Sequence, residues 1–391
     1  MYNILVVDDS ALMRKVICDI INADSDFRVV DVSADGEDAY NKIKNNSFDI
    51  VILDMILPKM MGEQVVEKLY EEHIAFNVIL ISSSVKEDAD STVRAMECGA
   101  LDFVVKPNRT TAENKDEFSS ALLKSMHQVA SSVVSKKKTG QTTSAVSSLR
   151  DRLNSTSRND YGARSQRADA FSSAGTKTAG TVARPTKPTI TTPSKSIKGK
   201  KIIALACSTG GPQALHTFVP MLPATLKYPL VLVQHMPEGF TASLASRLNQ
   251  ISEINVKEAE EGEFFEPGCV YITPGGKHME ICENASHEAY CHLNDGPPVN
   301  SLKPCADVMY QSLADSSYEE IICVVLTGMG ADGSQGIEYL SKHKKTYVIS
   351  QEASTCVVYG MPKAVEQRGL SDEVVPLKSV ADSIVKKLGG L

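Results

Sequence analysis

The sequence of 391 residues has no long apolar run. No stretch of about 18 consecutive apolar residues occurs, so the pattern of a membrane-spanning helix is absent. The first residues also do not form a basic segment followed by an apolar one, because Asp8 and Asp9 come almost at once. We therefore expect a cytoplasmic protein with no segment inserted into a membrane.

Paired cysteines are also missing. The nine cysteines are an odd number, and no two of them have the CxxC spacing. Cys18, Cys98 and Cys323 lie in apolar segments, as is typical of buried free thiols. The sequence therefore favours neither a disulfide framework nor a zinc site.

Large apolar residues are scarce between residues 135 and 199, where the composition is typical of a flexible linker. Residues 135–200 contain 14 Lys or Arg against three acidic residues, a local charge of +11 that leaves −18 for the remaining chain. The basic residues are scattered, without interleaved aromatic residues or a DNA-binding motif, so we do not expect nucleic-acid binding. The predicted organisation is a domain over 1–134, a linker over 135–199 and a domain over 200–391.

Five apolar segments alternate with five helical segments in the first domain. The predicted strands are 3–8, 28–32, 50–53, 77–81 and 102–105, and the predicted helices are 11–22, 37–45, 62–72, 87–98 and 114–133. This alternation predicts a doubly wound, flavodoxin-like parallel sheet.

Polar residues follow the ends of these strands. Asp8, Asp9 and Asp54 provide three carboxylates, Ser82 a hydroxyl and Lys106 an amine. The carboxyl ends of parallel strands share one edge, so these groups should converge in one crevice. Three carboxylates repel one another unless a cation joins them, and oxygen ligands favour a hard ion such as Mg²⁺. A metal-bound carboxylate beside a lysine is suited to attack on a phosphoryl group.

This arrangement resembles the receiver domain of two-component response regulators, and the resemblance covers residues 1 to about 125. It implies that Asp54 accepts a phosphoryl group from a histidine kinase. It also implies that Asp8 and Asp9, with the backbone carbonyl of Ile56, hold Mg²⁺ for this reaction.

The same resemblance assigns the residues that respond to phosphorylation. Lys106 would contact the phosphoryl group, Ser82 would be the switch hydroxyl and Phe103 would be the switch aromatic residue. The alternative is that the acidic residues only cap strands and helices. It would require five residues of suitable type to fall by chance at the ends of the strands.

The second domain opens on an apolar run, residues 201–207, that ends at Ser208 and is followed by two glycines and Pro212. The pattern predicts a strand, a tight turn and a helix, with Ser208 at the carboxyl edge of a sheet. A helix N-terminus at that edge presents free N–H groups and a partial positive charge. A turn that needs glycine only for packing is the alternative.

The rest of the second domain has an α/β pattern with one interruption. Residues 254–293 contain short alternating pieces at 270–273, 278–282 and 288–293, which predict antiparallel strands inserted into this pattern. The other predicted elements are strands at 229–235, 321–326 and 346–350 and helices at 213–221, 241–248, 303–313 and 335–343. We therefore expect a doubly wound parallel α/β sheet with an inserted antiparallel hairpin region.

Ser208, His235 and Asp332 each follow an apolar strand, so they should meet at one edge of the sheet. A nucleophilic serine needs a base, and the imidazole needs a carboxylate that fixes its tautomer. The three residues occur along the chain in the order Ser, His, Asp, whereas α/β-hydrolases have the order Ser, Asp, His, and no GxSxG motif is present. His235 and Asp332 also have simpler interpretations, as a loop residue and as a helix cap. Cys207, which precedes Ser208, is either a rival nucleophile or a core residue.

Backbone amides of the glycine-rich loops are candidate donors to an oxyanion. The amides of Met329 and Thr209 are the two candidates. No GxxxxGK[ST] phosphate-binding motif is present, and we expect no cofactor in this domain.

Six short motifs resemble signature segments of the chemotaxis protein-glutamate methylesterases, over residues 200 to about 390. They are Cys207–Pro212, Gln234–Pro237, Thr273–Met279, Asp295–Asn300, Thr327–Gly333 and Val358–Pro362. The resemblance implies that Ser208, His235 and Asp332 form a catalytic triad, with the Met329 amide in the oxyanion hole. It further implies hydrolysis of glutamate methyl esters on chemoreceptor helices, with release of methanol, and deamidation of certain receptor glutamines.

We therefore expect a serine hydrolase that is activated when phosphorylation of Asp54 moves the receiver away from Ser208. Two alternatives remain at this stage. The second domain is a non-catalytic output domain that binds a partner, or it is a hydrolase with another ester or amide substrate. The residues alone do not specify methyl glutamate.

Overall fold

The computed structural model describes residues 1–82, 86–107, 112–138 and 199–389. The predicted linker beyond residue 138 therefore lies outside the described residues. None of the helices in the described part of the chain is both long enough and apolar enough to span a bilayer.

The first domain is a parallel sheet of five strands in the order β2-β1-β3-β4-β5, with helices between successive strands. The strands are β1 (Tyr2–Val7), β2 (Phe27–Ser33), β3 (Ile50–Asp54), β4 (Val78–Ser82) and β5 (Asp102–Val105). The helices are α1 (Ala11–Ala23), α2 (Gly36–Asn45), α3 (Gly62–Glu71), α4 (Lys86–Glu97) and α5 (Ala112–Lys138). This strand order confirms the predicted flavodoxin-like fold.

Local sequence explains where these elements begin and how they pack. All residues of β3 and β4 are buried, as their continuous apolar runs predict for strands covered on both faces. The Ser10 side chain accepts a hydrogen bond from the Met13 amide at the start of α1, and Asp35 accepts one from Asp38 at the start of α2. Helix α5 continues to Lys138, so it runs a few residues into the segment that we assign to the linker.

The second domain contains a parallel sheet of seven strands in the order β14-β13-β12-β6-β7-β9-β8 and an antiparallel pair, β10-β11. The strands are β6 (Lys201–Cys207), β7 (Leu230–Gln234), β8 (Asn255–Glu258), β9 (Cys269–Ile272), β10 (His278–Glu283), β11 (Ala289–Asn294), β12 (Glu320–Val325), β13 (Lys345–Gln351) and β14 (Glu373–Val375). The helices are α6 (Gly211–Phe218), α7 (Phe240–Ile251), α8 (Ala306–Ser312), α9 (Ser334–Ser341), α10 (Met361–Gln367) and α11 (Val380–Lys387). The parallel sheet with an inserted hairpin is confirmed.

One part of the prediction for this domain is wrong. The segment 270–273 is predicted to be an antiparallel piece, but β9 pairs in parallel with both β7 and β8. All four residues of β9 are buried, as is expected of a strand inside a parallel sheet. A segment of this length is too short for hydrophobic periodicity to show the direction of pairing.

The two domains are in contact, and both belong to one compact unit. Helix α4 of the first domain packs against α6 and α7 of the second. Ala89 and Val93 on α4 are buried within an apolar cluster that consists mainly of residues from the second domain. Helix α6, which takes part in this contact, begins at Gly211, close after Ser208.

Candidate active site

Three adjacent strands of the second domain place the predicted catalytic residues at one edge of the sheet. Strand β6 pairs with β7 through Cys207 and Gln234, so Ser208 and His235 follow neighbouring positions. Strand β12 pairs with the other side of β6, and the loop after β12 carries Asp332. Neighbouring parallel strands lie about 4.8 Å apart, so the residues that follow them are close enough to interact.

His235 and Asp332 form a buried hydrogen-bonded pair. The His235 Nε2 atom lies 2.7 Å from Asp332 Oδ2, and the two side chains are 10% and 2% exposed. Burial alone would raise the pKa of Asp332, but the hydrogen bond and charge of His235, together with backbone amides, lower it to about 2. Asp332 is therefore ionised at neutral pH and can orient the imidazole ring.

Backbone amides donate several hydrogen bonds to the Asp332 carboxylate. Its Oδ2 accepts the amide of Ala306 at 2.7 Å, and its Oδ1 accepts the amides of Asp307 and Gly333 at 3.0 Å each. The Cys305 thiol also donates to Oδ1 at 3.1 Å. These donors are not predicted from the sequence, because no motif in residues 303–307 indicates a contact with Asp332.

Ser208 follows the strand next to that of His235, but in the described part of the chain it forms no hydrogen bond with this pair. Among the described residues, no hydrogen bond joins the Ser208 hydroxyl to His235. The Ser208 backbone is fixed, because its amide donates to Thr327 at 3.0 Å and its carbonyl accepts from Gly211 at 2.7 Å. Since Nε2 of His235 faces Asp332, Nδ1 is the ring nitrogen left to act as a base. Catalytic hydrogen bonds of this kind are often formed only in the complex with substrate.

The rival nucleophile Cys207 belongs to the core. It is fully buried, and its thiol donates to Gln234 Oε1 at 3.0 Å. Burial raises the pKa of this thiol well above its ordinary range. Because the thiolate is the reactive form, Cys207 is not available as a nucleophile.

Glycine allows the loop after β12 to approach Ser208 closely. A Cβ atom at Gly328 would lie 2.8 Å from the Ser208 Cβ and 2.4 Å from the Met361 sulfur. Residues 328–333 also have the spacing GxGxxG that occurs in dinucleotide-binding turns. Here the first glycine is required for contact with the serine, and the loop supplies Asp332.

The two predicted oxyanion donors belong to the two loops that meet at Ser208. Met329 is in the loop after β12 and Thr209 directly follows the serine. Within the described residues, neither backbone amide donates to an acceptor in the protein. Helix α6 begins at Gly211 with Pro212 in its first turn, where a missing N–H costs nothing. The amides of Thr209 and Met329 are therefore available to stabilise negative charge.

The predicted phosphorylation site of the first domain is also assembled at the ends of its strands. Lys106 Nζ lies 2.5 Å from Asp54 Oδ2 and 2.9 Å from Asp8 Oδ2. Ligand oxygens of Asp8, Asp9 and Asp54 all lie within 4.8 Å of one another. Burial raises the pKa of Asp54 to about 6, although Lys106 opposes this shift. The Ile56 amide is 3.4 Å from Asp54 Oδ1, so the Ile56 backbone borders the same site.

The predicted switch residues lie on neighbouring strands but have different surroundings. Ser82 is buried at the end of β4, and its hydroxyl accepts a hydrogen bond from Thr92 at 3.1 Å. Phe103 on β5 packs against Phe240 of the second domain, with ring centroids 4.6 Å apart and the ring planes tilted by 36°. Phe103, the predicted switch aromatic residue, is therefore part of the contact between the domains.

The first domain also forms hydrogen bonds with the loop that carries Ser208. The Thr209 hydroxyl lies 2.7 Å from Gln128 Oε1 and 3.3 Å from Asp102 Oδ2. The Gly210 amide donates to the Leu101 carbonyl at 3.3 Å. These contacts are not predicted from the sequence, because nothing in it shows which surfaces of two domains meet.

A second set of polar contacts lies farther along the interface. The Arg247 guanidinium binds both carboxylate oxygens of Glu97, at 2.8 and 3.0 Å. His216 is packed beside them, with Nδ1 at 3.6 Å from Glu97 Oε1, and neither ring nitrogen has a hydrogen-bond partner among the described residues. Burial lowers the pKa of His216 to about 4, so it is neutral in this contact at neutral pH.

Comparisons with known proteins match both domains. Residues 4–114 match the model of the response regulator receiver domain, and residues 203–384 match that of the CheB methylesterase.

Relatives match along the full length. Protein-glutamate methylesterase/protein-glutamine glutaminase 1 of Syntrophomonas wolfei is 35% identical over 388 residues, which cover 98% of this chain and 99% of that protein. The corresponding Bacillus subtilis protein is 35% identical, with 98% of each chain covered. The crystal structure of the Thermotoga maritima CheB methylesterase catalytic domain is 39% identical and covers 49% of this chain and 100% of that chain, with a TM-score of 0.47.

Proposed function

Because this chain belongs to the CheB methylesterase family with an N-terminal receiver domain, we propose that it hydrolyses glutamate methyl esters on chemoreceptors. Deamidation of receptor glutamines is proposed as a second activity of the same site. The observation that carries this proposal is the ionised Asp332 bound to His235 beside Ser208 at one sheet edge. A non-catalytic output domain is not favoured, since the curated relatives are named as enzymes.

The proposed reaction uses residues of the second domain alone. Ser208 attacks the ester carbonyl while His235 takes the serine proton at Nδ1, and Asp332 stabilises the resulting imidazolium. The amides of Met329 and Thr209 stabilise the negative charge on the carbonyl oxygen. His235 then protonates the departing methoxide, and water hydrolyses the acyl-enzyme to restore the serine. With a glutamine substrate, ammonia leaves in place of methanol.

The first domain is proposed to accept a phosphoryl group on Asp54 from a histidine kinase. Asp8, Asp9 and Asp54 are suited to hold Mg²⁺, because they provide only oxygen ligands and lie close together. The Asp8 Oδ2 atom is buried and lies 2.9 Å from Lys106 Nζ. A bound Mg²⁺ would neutralise charge on the phosphoryl oxygens. The backbone carbonyl of Ile56 is proposed as a further ligand.

Phosphorylation is proposed to act on the second domain through β5. Lys106 follows this strand and bonds Asp54, while Asp102 and Phe103 on the same strand contact Thr209 and Phe240. A phosphoryl group on Asp54 would draw Lys106 and Ser82 toward it and weaken these contacts. The receiver would then separate from the Ser208 edge. The proposed place of this reaction is the cytoplasm, on the cytoplasmic helices of the receptors.

Methanol release from membranes that carry methylated receptors tests the proposed function. With the full chain and Mg²⁺, we expect beryllofluoride, an analogue of the phosphoryl group, to increase the rate by about tenfold. A fluorophosphonate should label Ser208 faster under the same conditions. No methanol release from the wild-type chain would refute the esterase function. Release at a rate that beryllofluoride leaves unchanged would refute only the regulation by Asp54.

Mg²⁺ is expected to raise the midpoint of thermal unfolding more at about pH 7 than at about pH 5. The pKa of Asp54 is about 6 because burial raises it, so a proton competes with the metal at the lower pH. Without metal, this raised pKa stabilises the folded state below the ordinary pKa of aspartate. That contribution disappears as the pH rises through about 6.

Calorimetry of the full chain with and without Mg²⁺ measures this difference. Asp54→Asn is the control, since it removes the titrating group and should make the effect of Mg²⁺ nearly independent of pH. An equal effect of Mg²⁺ at both pH values in the wild-type chain would contradict the proposed metal site.

A further inference from the structure

We propose that Cys305 is a positioning residue for the reaction, because its thiol donates a hydrogen bond to Asp332 and fixes the carboxylate that orients His235. The inference rests on the proposed function of the same site. It concerns a side chain that the motifs of the sequence do not single out. Cys305 would act through Asp332 and would not contact the substrate.

The thiol completes a set of donors around one carboxylate oxygen. Cys305 Sγ lies 3.1 Å from Asp332 Oδ1, which also accepts the amides of Asp307 and Gly333. The other oxygen, Oδ2, accepts from the Ala306 amide and faces His235. Both oxygens are therefore held, and rotation of the carboxylate away from His235 would break several hydrogen bonds together.

The thiol is protonated and can only donate to this carboxylate. Cys305 is completely buried, and burial together with the charge of Asp332 raises the pKa of its thiol well above the ordinary range. An ionised thiol beside Asp332 would be repelled by the carboxylate. The S–H group is a weak donor, but its acceptor is charged and lies in a site with little solvent, where hydrogen bonds to charged groups are stronger.

A metal site formed by Cys305, Asp307 and Asp332 is the competing interpretation of this cluster, since their ligand atoms lie within 4.8 Å of one another. The hydrogen bonds argue against it. Both Asp332 oxygens already accept several donors, and Asp307 Oδ1 accepts the Gly336 amide at 2.6 Å. The protonated thiol would also have to lose its proton before it could bind a metal.

The paired variants Cys305→Ala and Cys305→Ser separate positioning from packing. Both lack the volume of sulfur, but only serine keeps a donor at this position. We expect Cys305→Ala to lower kcat by about tenfold with little change in KM, since a hydrogen bond to a charged group is lost. Cys305→Ser should stay within about twofold of the wild-type chain.

The pH profile provides a readout that a packing role would not move. Without the thiol donor, the negative charge of Asp332 is less compensated by hydrogen bonds. The uncompensated charge favours the imidazolium form of His235. The acid limb of the kcat/KM profile should therefore move to higher pH in Cys305→Ala and return toward the wild-type position in Cys305→Ser. Thermal unfolding of the three chains shows whether the variants are folded.

The result that would overturn the inference is equal behaviour of the two variants. Equal loss in both would assign the effect to packing, and unchanged kinetics and pH profile in both would show that the thiol does not position Asp332. The rate at which a fluorophosphonate labels Ser208 should follow the same order. This measurement does not need the natural substrate, so it separates failure of this inference from failure of the proposed ester substrate.

Discussion

Ser208→Ala is expected to reduce methanol release to less than about one thousandth of the wild-type rate. The variant removes the only atom that the proposed mechanism uses to form the acyl-enzyme. The hydroxyl makes no hydrogen bond within the described part of the chain, so its removal should leave no buried group unsatisfied. The midpoint of thermal unfolding should therefore stay close to that of the wild-type chain.

Methanol release from methylated receptor membranes, measured with beryllofluoride present, tests this expectation. Ser341→Ala is a matched control, because Ser341 is an exposed serine at the end of α9 and should retain full activity. A Ser208→Ala chain that releases methanol at the wild-type rate would show that another group is the nucleophile.

Asp332→Asn should lower both activity and stability. An asparagine amide group would face the same donors that hold the carboxylate, so at least one N–H of the protein would lose its acceptor. The imidazole of His235 would also lose the group that fixes its tautomer. We expect kcat to fall by about three to four orders of magnitude, as for the loss of a triad carboxylate, and the free energy of unfolding by about 2 kcal/mol or more.

The loss of stability in Asp332→Asn should depend on pH. The wild-type pKa of Asp332 is about 2, below the ordinary value of 3.8. A lowered pKa means that the carboxylate stabilises the folded state fully above about pH 4, and that this contribution is lost as the pH falls toward about 2. The difference between the two chains should therefore narrow in acid.

Urea denaturation of both chains at several pH values measures this narrowing. Asp382→Asn serves as the control, since Asp382 is an exposed carboxylate on α11. Asp332→Asn with wild-type stability and activity at about pH 7 would contradict the role that we assign to the carboxylate.

The sequence located the parts of the site that depend on position along strands. Ser208, His235 and Asp54 each follow or end a run of buried apolar residues, and the edge of a parallel sheet brings such residues together. The direction of β9 was predicted wrongly, because four buried residues have the same appearance in either direction of pairing.

The contacts that hold the site in place could not be predicted. Cys305 reaches Asp332 from the start of α8, across a distance in sequence that no periodic pattern spans. Gln128 reaches Thr209 from α5 in the other domain, with the linker between them in the sequence. Such pairs depend on how separate elements pack. Neither the cysteine nor the glutamine lies in a sequence motif that indicates its partner.

The hydrogen bonds from Gln128 and Leu101 to the loop after Ser208 have a consequence for the receptor as well as for the enzyme. Under the proposed function, a receptor helix that reaches Ser208 would compete with the receiver for the same edge, so receptor binding and receiver docking would oppose each other. Thermodynamic linkage makes this relation reciprocal: if phosphorylation raises the affinity for receptor by some factor, bound receptor favours the phosphorylated receiver by the same factor. On the proposed function, a methylated receptor would therefore be an effector of the receiver as well as the substrate of the second domain.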